Sequence, residues 1–222
     1  MYLSPSLIKT FNSCKFKFKL QYKDKIRKPQ PIVDETLYGN YLHRFLELYK
    51  RKPTNEIIKQ LDEEIALPTY LQDDLIKAIG NTVRFVKQYD NYKCESEQRL
   101  KSSVKNIRLG GKVDRIYTLT DQLVVIDFKT SKKLWRGFND LQLKFYSLVV
   151  SNERNVAPEN IETIVYFARP NKTDSNIYTT KDIEYFKEYL IETAEIIENT
   201  LNWPAQKSKL CDYCQYKMDC YL

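Results

Sequence analysis

The chain has 222 residues, 42% hydrophobic and 29% charged, so it can bury a full core without disulfides and is too apolar for a disordered chain. No apolar run approaches the roughly 18–20 residues of a membrane span, and a single histidine excludes His₂Cys₂ zinc fingers and His₃ zinc hydrolases. The net charge of +7 favours a polyanionic partner. There is no phosphate-binding loop of the G-x-x-x-x-G-K-[ST] type. The opening Met1-Tyr2-Leu3-Ser4-Pro5 lacks a signal-peptide pattern, so a cytoplasmic, disulfide-free protein is expected.

Residues 1–22 read as one helix, with Ser4 as cap, Pro5 in the first turn, and Leu7, Ile8, Phe11 and Cys14 in a stripe. Residues 23–31 are basic and Pro-bounded, a loop. A second helix is expected over 33–50, with Leu42, Phe45, Leu46 and Tyr49 on its apolar side. Pro53 ends it. Helical patterns follow at 55–66 and 70–89, separated by Pro68. Strands are expected at about 97–104, 107–118 and 122–129. The last is nearly continuously apolar, as in a strand covered on both faces. Then come a helix at 137–152, a strand near 161–168, a helix at 181–201 and a cysteine-rich tail. The expected fold is α/β, a sheet sandwiched by helices, with the chain ends available for an appendage.

Two segments concentrate the chemistry: Gly110-Gly111-Lys112-Val113-Asp114-Arg115-Ile116 and Ile126-Asp127-Phe128-Lys129-Thr130. Their acids are 13 residues apart, which suits adjacent strands joined by a turn near 118–122. Alternation puts Asp127 and Lys129 on one face and Phe128 on the other. Converging carboxylates make an oxygen-rich site for Mg²⁺ or Mn²⁺, and a neighbouring lysine can orient an attacking water. The plain alternative is a structural salt bridge from Asp114 to Lys129 or Arg115. Gly39, His43 and Glu47 recur every fourth residue on one helical face; the imidazole could join the metal and Glu47 could orient it. Gln142 and Tyr146 are likewise four apart.

In order along the chain, Gly39-x-x-x-His43-x-x-x-Glu47, Gly111-x-x-Asp114-Arg115, Asp127-Phe128-Lys129-Thr130 and Gln142-x-x-x-Tyr146 resemble the RecB-like branch of the PD-(D/E)XK nucleases. The resemblance implies a restriction-endonuclease-like mixed sheet flanked by helices and metal-dependent cleavage of DNA. It implies His43, Asp114 and Asp127 as metal ligands, joined by the Phe128 carbonyl, with Lys129 serving the water and Gln142 and Tyr146 completing the motif. Val113 stands where the family name has Pro. An upstream acidic position matches Glu97 or Glu95.

Cys211, Cys214 and Cys220 form C-x₂-C-x₅-C, and a tetrahedral site needs one more ligand, Cys14 or Cys94. An iron–sulfur subset of the same nucleases, including the CRISPR-associated iron–sulfur exonucleases and the AddB nuclease subunit, pairs one N-terminal cysteine with this tail. That resemblance implies a 4Fe–4S cluster on Cys14, Cys211, Cys214 and Cys220 joining the chain ends; a Cys₄ zinc site is the alternative. The expected organisation is a single nuclease domain over 1–222: a helical part to about 92, a catalytic core over 93–200, and an iron–sulfur tail over 203–222.

Lys15, Lys17 and Lys19, and above all Lys132, Lys133, Trp135 and Arg136, are the expected DNA contacts. The expected activity is a Mg²⁺- or Mn²⁺-dependent DNA exonuclease acting on single strands or free ends, in recombination, repair or CRISPR-type processing. The alternatives are a non-catalytic DNA-end binding module and RNA cleavage. Any helicase, CRISPR or recombination protein would be a separate partner, in the cytoplasm, at the nucleoid or in a phage-infected cell.

Overall fold

The computed structural model describes residues 1–49, 52–134 and 139–220. In chain order the main elements are β1 (Tyr2–Leu3), α1 (Pro5–Ser13), α2 (Lys15–Phe18), α3 (Asp34–Leu48), α4 (Thr54–Glu64), α5 (Thr69–Lys87), β2 (Lys93–Val104), β3 (Ile107–Thr118), β4 (Leu123–Lys129), α6 (Asp140–Arg154), β5 (Ile161–Phe167), β6 (Lys172–Ile177) and α7 (Thr180–Asn199).

The mixed sheet is built on β3. One edge of β3 pairs along its length with β2, antiparallel. The other edge is shared. β1 pairs in parallel beside Arg108 and Leu109, and β4 pairs antiparallel beside residues 115–118. Between them, residues 110–114 have no strand neighbour on that edge among the described residues, and the sheet opens a notch there. β5 then pairs in parallel with β4, and β6 closes the far side as an antiparallel edge.

Each face carries its own core. One packs α1, α6 and α7 against Val113, Ile116, Val125 and Val165. The other packs α3, α4 and α5 against Tyr117, Val124, Ile126 and Phe128. The strictly alternating burial of β4 between two cores is why its sequence reads as continuously apolar.

Two expectations need correction. The helix expected over 1–22 is not continuous. Tyr2 and Leu3 join the sheet, and Ser4 then caps α1 by accepting the Leu7 amide. Cys14 is extended (φ −161°, ψ 107°), closing α1 and opening α2, which runs into a π-helical turn at Lys19–Lys23. β6 was not anticipated either. Its sequence, Lys-Thr-Asp-Ser-Asn-Ile, is polar because it is an exposed edge held by backbone pairing rather than by an apolar face.

Candidate active site

The β3–β4 ladder ends at Arg115 and Ile126. One step further the register would set Asp114 opposite Asp127, at the notch. Here β3 leaves the regular pleat. Val113 and Ile116 enter the same core, whereas strict alternation would send them to opposite faces. Across the β2–β3 ladder, the pairs on either side of Glu97 and Asp114 are formed and theirs is missing. Glu97 holds a left-handed φ of 56°, a conformation costing a non-glycine residue about 1–3 kcal/mol, of the kind that gathers at functional sites.

The distortion turns acids toward the notch. His43 Nδ1, from α3, lies 3.3 Å from Asp114 Oδ1. Ligand atoms of His43, Glu97 and Asp114 all fall within 4.8 Å of one another, and among the described residues this is the one such group. Asp114 Oδ2 accepts the Phe128 amide at 2.7 Å. Burial pulls the His43 pKa down, but the hydrogen bond and charge of Asp114 outweigh it and hold it above the ordinary value.

Asp127 is 5% exposed. Its Oδ1 accepts from Gln142 Nε2 at 2.7 Å and from Tyr146 Oη at 3.4 Å. Its Oδ2 forms an ion pair with Lys129 Nζ at 2.5 Å. Burial raises the Asp127 pKa and the Asp114 charge adds to this, opposed by Lys129. Tyr146 donates to the Lys112 carbonyl at 2.9 Å, which satisfies a group of β3 that faces the notch.

The donors, two or three carboxylates with one imidazole, suit a hard divalent cation. The buried Asp127 Oδ2, paired with the Lys129 ammonium, keeps a further lone pair that such an ion could take. In an extended strand the N–H and C=O of one residue point to the same side. The Phe128 carbonyl therefore faces the notch beside the amide that Asp114 accepts.

The structure thus brings together His43, Asp114, Asp127, Lys129, Gln142, Tyr146 and the Phe128 backbone. Of the two upstream acids, Glu97 joins the group, while Glu95 pairs with Arg154 at 2.8 Å. Asp127 lies outside the tight group and is held instead by α6. The plain salt-bridge alternative for Asp114 does not occur. Lys129 pairs with Asp127, and Arg115 bonds Tyr117 Oη and the Leu46 carbonyl, each at 2.8 Å. Glu47 does not orient His43; it pairs with Arg44 at 2.6 Å.

Lys9 was missed. From α1 it donates to Gln142 Oε1 at 3.0 Å, fixing which end of that amide faces Asp127. Its pKa is lowered by burial and by the Lys129 charge. No local pattern marks it, because the residues it meets at the site, Asp127, Lys129 and Gln142, are far away along the chain.

Lys132 and Lys133 are exposed and line a groove of about 780 Å³ with Lys172 and Tyr166. Trp135 and Arg136 lie outside the described residues. Cys14, Cys211, Cys214 and Cys220 are free, partly buried thiols. The tail folds back on the N-terminal segment: the Phe16 amide donates to the Pro204 carbonyl at 3.2 Å, Phe18 stacks on Trp203, and Tyr216 Oη donates to the Ile26 carbonyl at 2.7 Å. Cys94, on β2, belongs to neither group.

A family profile described as the PD-(D/E)XK nuclease superfamily matches residues 2–221. No curated protein sequence matches the chain. Among solved structures, it is similar to a protein from Eubacterium rectale described as a candidate exonuclease, with a TM-score of 0.60 and 12% identity over 97% of this chain and 87% of that one. It is more loosely similar to SSO0001 (TM-score 0.42, 17% identity, 97% and 94% covered). Looser still is the match to VC1899 from Vibrio cholerae (TM-score 0.32, 8% identity, 89% and 57% covered). At such identities a structural likeness bears on the fold alone, and the fold agrees with the profile. A mixed sheet between helices, opened at an acidic notch and matched over nearly its whole length, makes this chain a member of the PD-(D/E)XK nuclease superfamily.

Proposed function

We propose that this protein is a Mg²⁺- or Mn²⁺-dependent deoxyribonuclease that hydrolyses phosphodiester bonds in single strands or at DNA ends, as an exonuclease. The observation that carries this reading is the meeting of Asp114, Asp127 and Lys129 at one break in the sheet, with His43 and Glu97 beside them. His43, Glu97, Asp114, Asp127 and the Phe128 carbonyl would hold the cation. Bound there, it would polarise the phosphate and lower the pKa of a water. Lys129, anchored by Asp127, presents an ammonium that orients the attacking water and offsets phosphate charge. Gln142 and Tyr146 fix Asp127 by its Oδ1, so that Oδ2 faces Lys129 and the cation would share it. The Tyr146 hydroxyl also keeps the notch open by capping the Lys112 carbonyl.

On this reading the four cysteines would hold a 4Fe–4S cluster, each thiolate binding its own iron; a Cys₄ zinc site is the alternative. The packing of the tail on residues 16–26 supports such a clip between the ends of one nuclease domain.

The test is cleavage of end-labelled single-stranded and duplex DNA by anaerobically purified protein, with Mg²⁺, Mn²⁺ or EDTA and Asp127→Ala alongside. Metal-dependent cutting lost in Asp127→Ala supports the reading. Binding without cutting in any metal rejects it for a DNA-end binding module. Iron, sulfide and zinc analysis, with absorbance near 400 nm, decides the cluster.

A further inference from the structure

Beyond the notch, β2 and β3 continue as an arm whose second face is exposed among the described residues. Leu100, Val104, Ile107 and Leu109 turn into the core on the α6 side. Arg99, Lys101, Arg108 and Lys112 alternate with them and are exposed on the other face. Arg99 lies directly opposite Lys112 in the ladder, and Lys101 opposite Gly110. Like charges facing one another across a sheet are destabilising. Lys112 is relieved by an ion pair with Glu97; Arg99, Lys101 and Arg108 have no ion pair among the described residues. Glu153 Oε2 accepts the Lys101 backbone amide at 2.9 Å but does not pair with its ammonium, and a face with three cations outside ion pairs suits an external polyanion.

An aromatic ring sits among them. Tyr2 pairs beside Arg108 and lies across Gly110, where a Cβ would come within 2.8 Å of a ring carbon. Glycine permits that close approach, since any larger residue would push the ring aside, and Tyr2 remains 47% exposed. Same-face residues of a strand are about 6.7 Å apart, two steps of roughly 3.3 Å, close to the spacing of successive phosphates on an extended single strand. Arg99 and Lys101 have that spacing on β2 and Arg108, opposite Ser103 on β3, continues the row; with an exposed ring they suit a strand whose bases are unpaired, since a base must be free to stack. The face is continuous with the site: Tyr2, Arg99, Lys101 and Arg108 line one groove of about 980 Å³ that reaches Lys129 and Gln142.

We propose that the Tyr2–Arg99–Lys101–Arg108 face is the track that carries a single polynucleotide strand to the notch, with phosphates on the three cations and a base on Tyr2. This deepens the nuclease reading of the adjoining site and rests on it.

The experiment measures binding of fluorescein-labelled oligothymidylate and a matched duplex to the full-length protein in EDTA, across a salt series. It adds metal-dependent hydrolysis of the same strand and of bis(p-nitrophenyl) phosphate, a diester too short to reach the track. The triple variant Arg99→Gln/Lys101→Gln/Arg108→Gln is expected to lower the slope of log K against log salt by about 2, at roughly 0.7 per phosphate contact. Tyr2→Ala is expected to weaken single-strand binding roughly tenfold with the slope unchanged, and Tyr2→Phe to restore it. Hydrolysis of the short diester is expected to stay at the wild-type rate in all of them, which also shows that they fold. Wild-type binding and slope in the triple variant would overturn the track, as would equal losses for duplex and single strand. If the wild type cuts neither substrate in any metal, the nuclease reading fails, while the binding slopes still decide the track.

Discussion

The Asp114 carboxylate accepts the Phe128 amide at 2.7 Å, so one acid both closes the gap where β3 and β4 part and faces the notch. The two roles are separable. Asp114→Asn keeps an acceptor oxygen for Phe128 but loses the charge. Asp114→Ala leaves the amide unpaired, at a cost of about 1–3 kcal/mol. Urea unfolding is expected to find Asn within about 1 kcal/mol of wild type and Ala clearly below it. Both variants are expected to lose metal-dependent cleavage. An Asn variant as unstable as Ala would mean that charge, not the hydrogen bond, holds the notch together.

Gln142 donates to both Asp127 Oδ1 and Tyr146 Oη while accepting from Lys9. An amide can flip; the lysine, an obligate donor, selects the orientation that turns NH₂ toward the carboxylate. Gln142→Leu leaves Asp127 Oδ1 with the 3.4 Å contact to Tyr146. The Mn²⁺ concentration for half-maximal cleavage is expected to rise roughly 10–100-fold, as for other groups that orient a ligand. Lys9→Met is expected to shift it in the same direction by less, and Lys9→Arg to recover part of it. An unchanged metal titration in Gln142→Leu would remove α6 from the site's function.

How much of this was legible in the sequence depended on range. Asp127, Phe128 and Lys129 share one strand, so alternation alone set their faces. Gln142 with Tyr146 and Gly39 with His43 are helical neighbours, so spacing alone aligned them. Glu97 and Glu95 could not be separated in that way, because both lie on β2. What separates them is the left-handed backbone at Glu97 and the pairing of Glu95 with Arg154, and neither leaves a mark in composition. Cys14 fits the apolar stripe of α1 by spacing; the helix breaks there beside the tail that packs on α2, a long-range contact that no local pattern shows. β6 is held by its partner's backbone, and polar residues on an edge strand look like a loop.

Acid stability has a local handle at α7. Thr179 and Asp182 form a capping box: the Asp182 amide donates to Thr179 Oγ1 at 3.1 Å, and the Thr179 amide donates to Asp182 Oδ2 at 2.9 Å. The Thr179 side chain and backbone hold the Asp182 carboxyl below its ordinary pKa. A carboxyl depressed in the folded state stabilises it above the ordinary carboxylate pKa, and that contribution is lost as pH falls through the depressed value. Asp182→Asn is therefore expected to lower the melting temperature at neutral pH and to converge on wild type in acid. A constant difference at every pH would assign the effect to packing.

Arg115 is 1% exposed, and its hydrogen bonds go to the Tyr117 hydroxyl and the Leu46 carbonyl rather than to a carboxylate. Leu46 lies in the last turn of α3, where unsatisfied carbonyls and the helix dipole favour a cation. His43 is one turn earlier on the same helix, and Asp114 is the residue before Arg115. The guanidinium therefore ties the helix carrying the imidazole to the strand carrying the acid, from behind the site. Arg115→Met fills the space but strands two polar partners, so a loss of about 1–3 kcal/mol is expected. Cleavage should fall further than the unfolded fraction accounts for, because the His43–Asp114 separation is no longer fixed, and a metal titration should shift with it. Arg115→Lys keeps the charge but lacks the fork that reaches both partners, and is expected to fall between. Lower stability with wild-type kcat/KM and wild-type metal dependence would show that Arg115 holds only the fold and that His43 is placed by α3 packing alone.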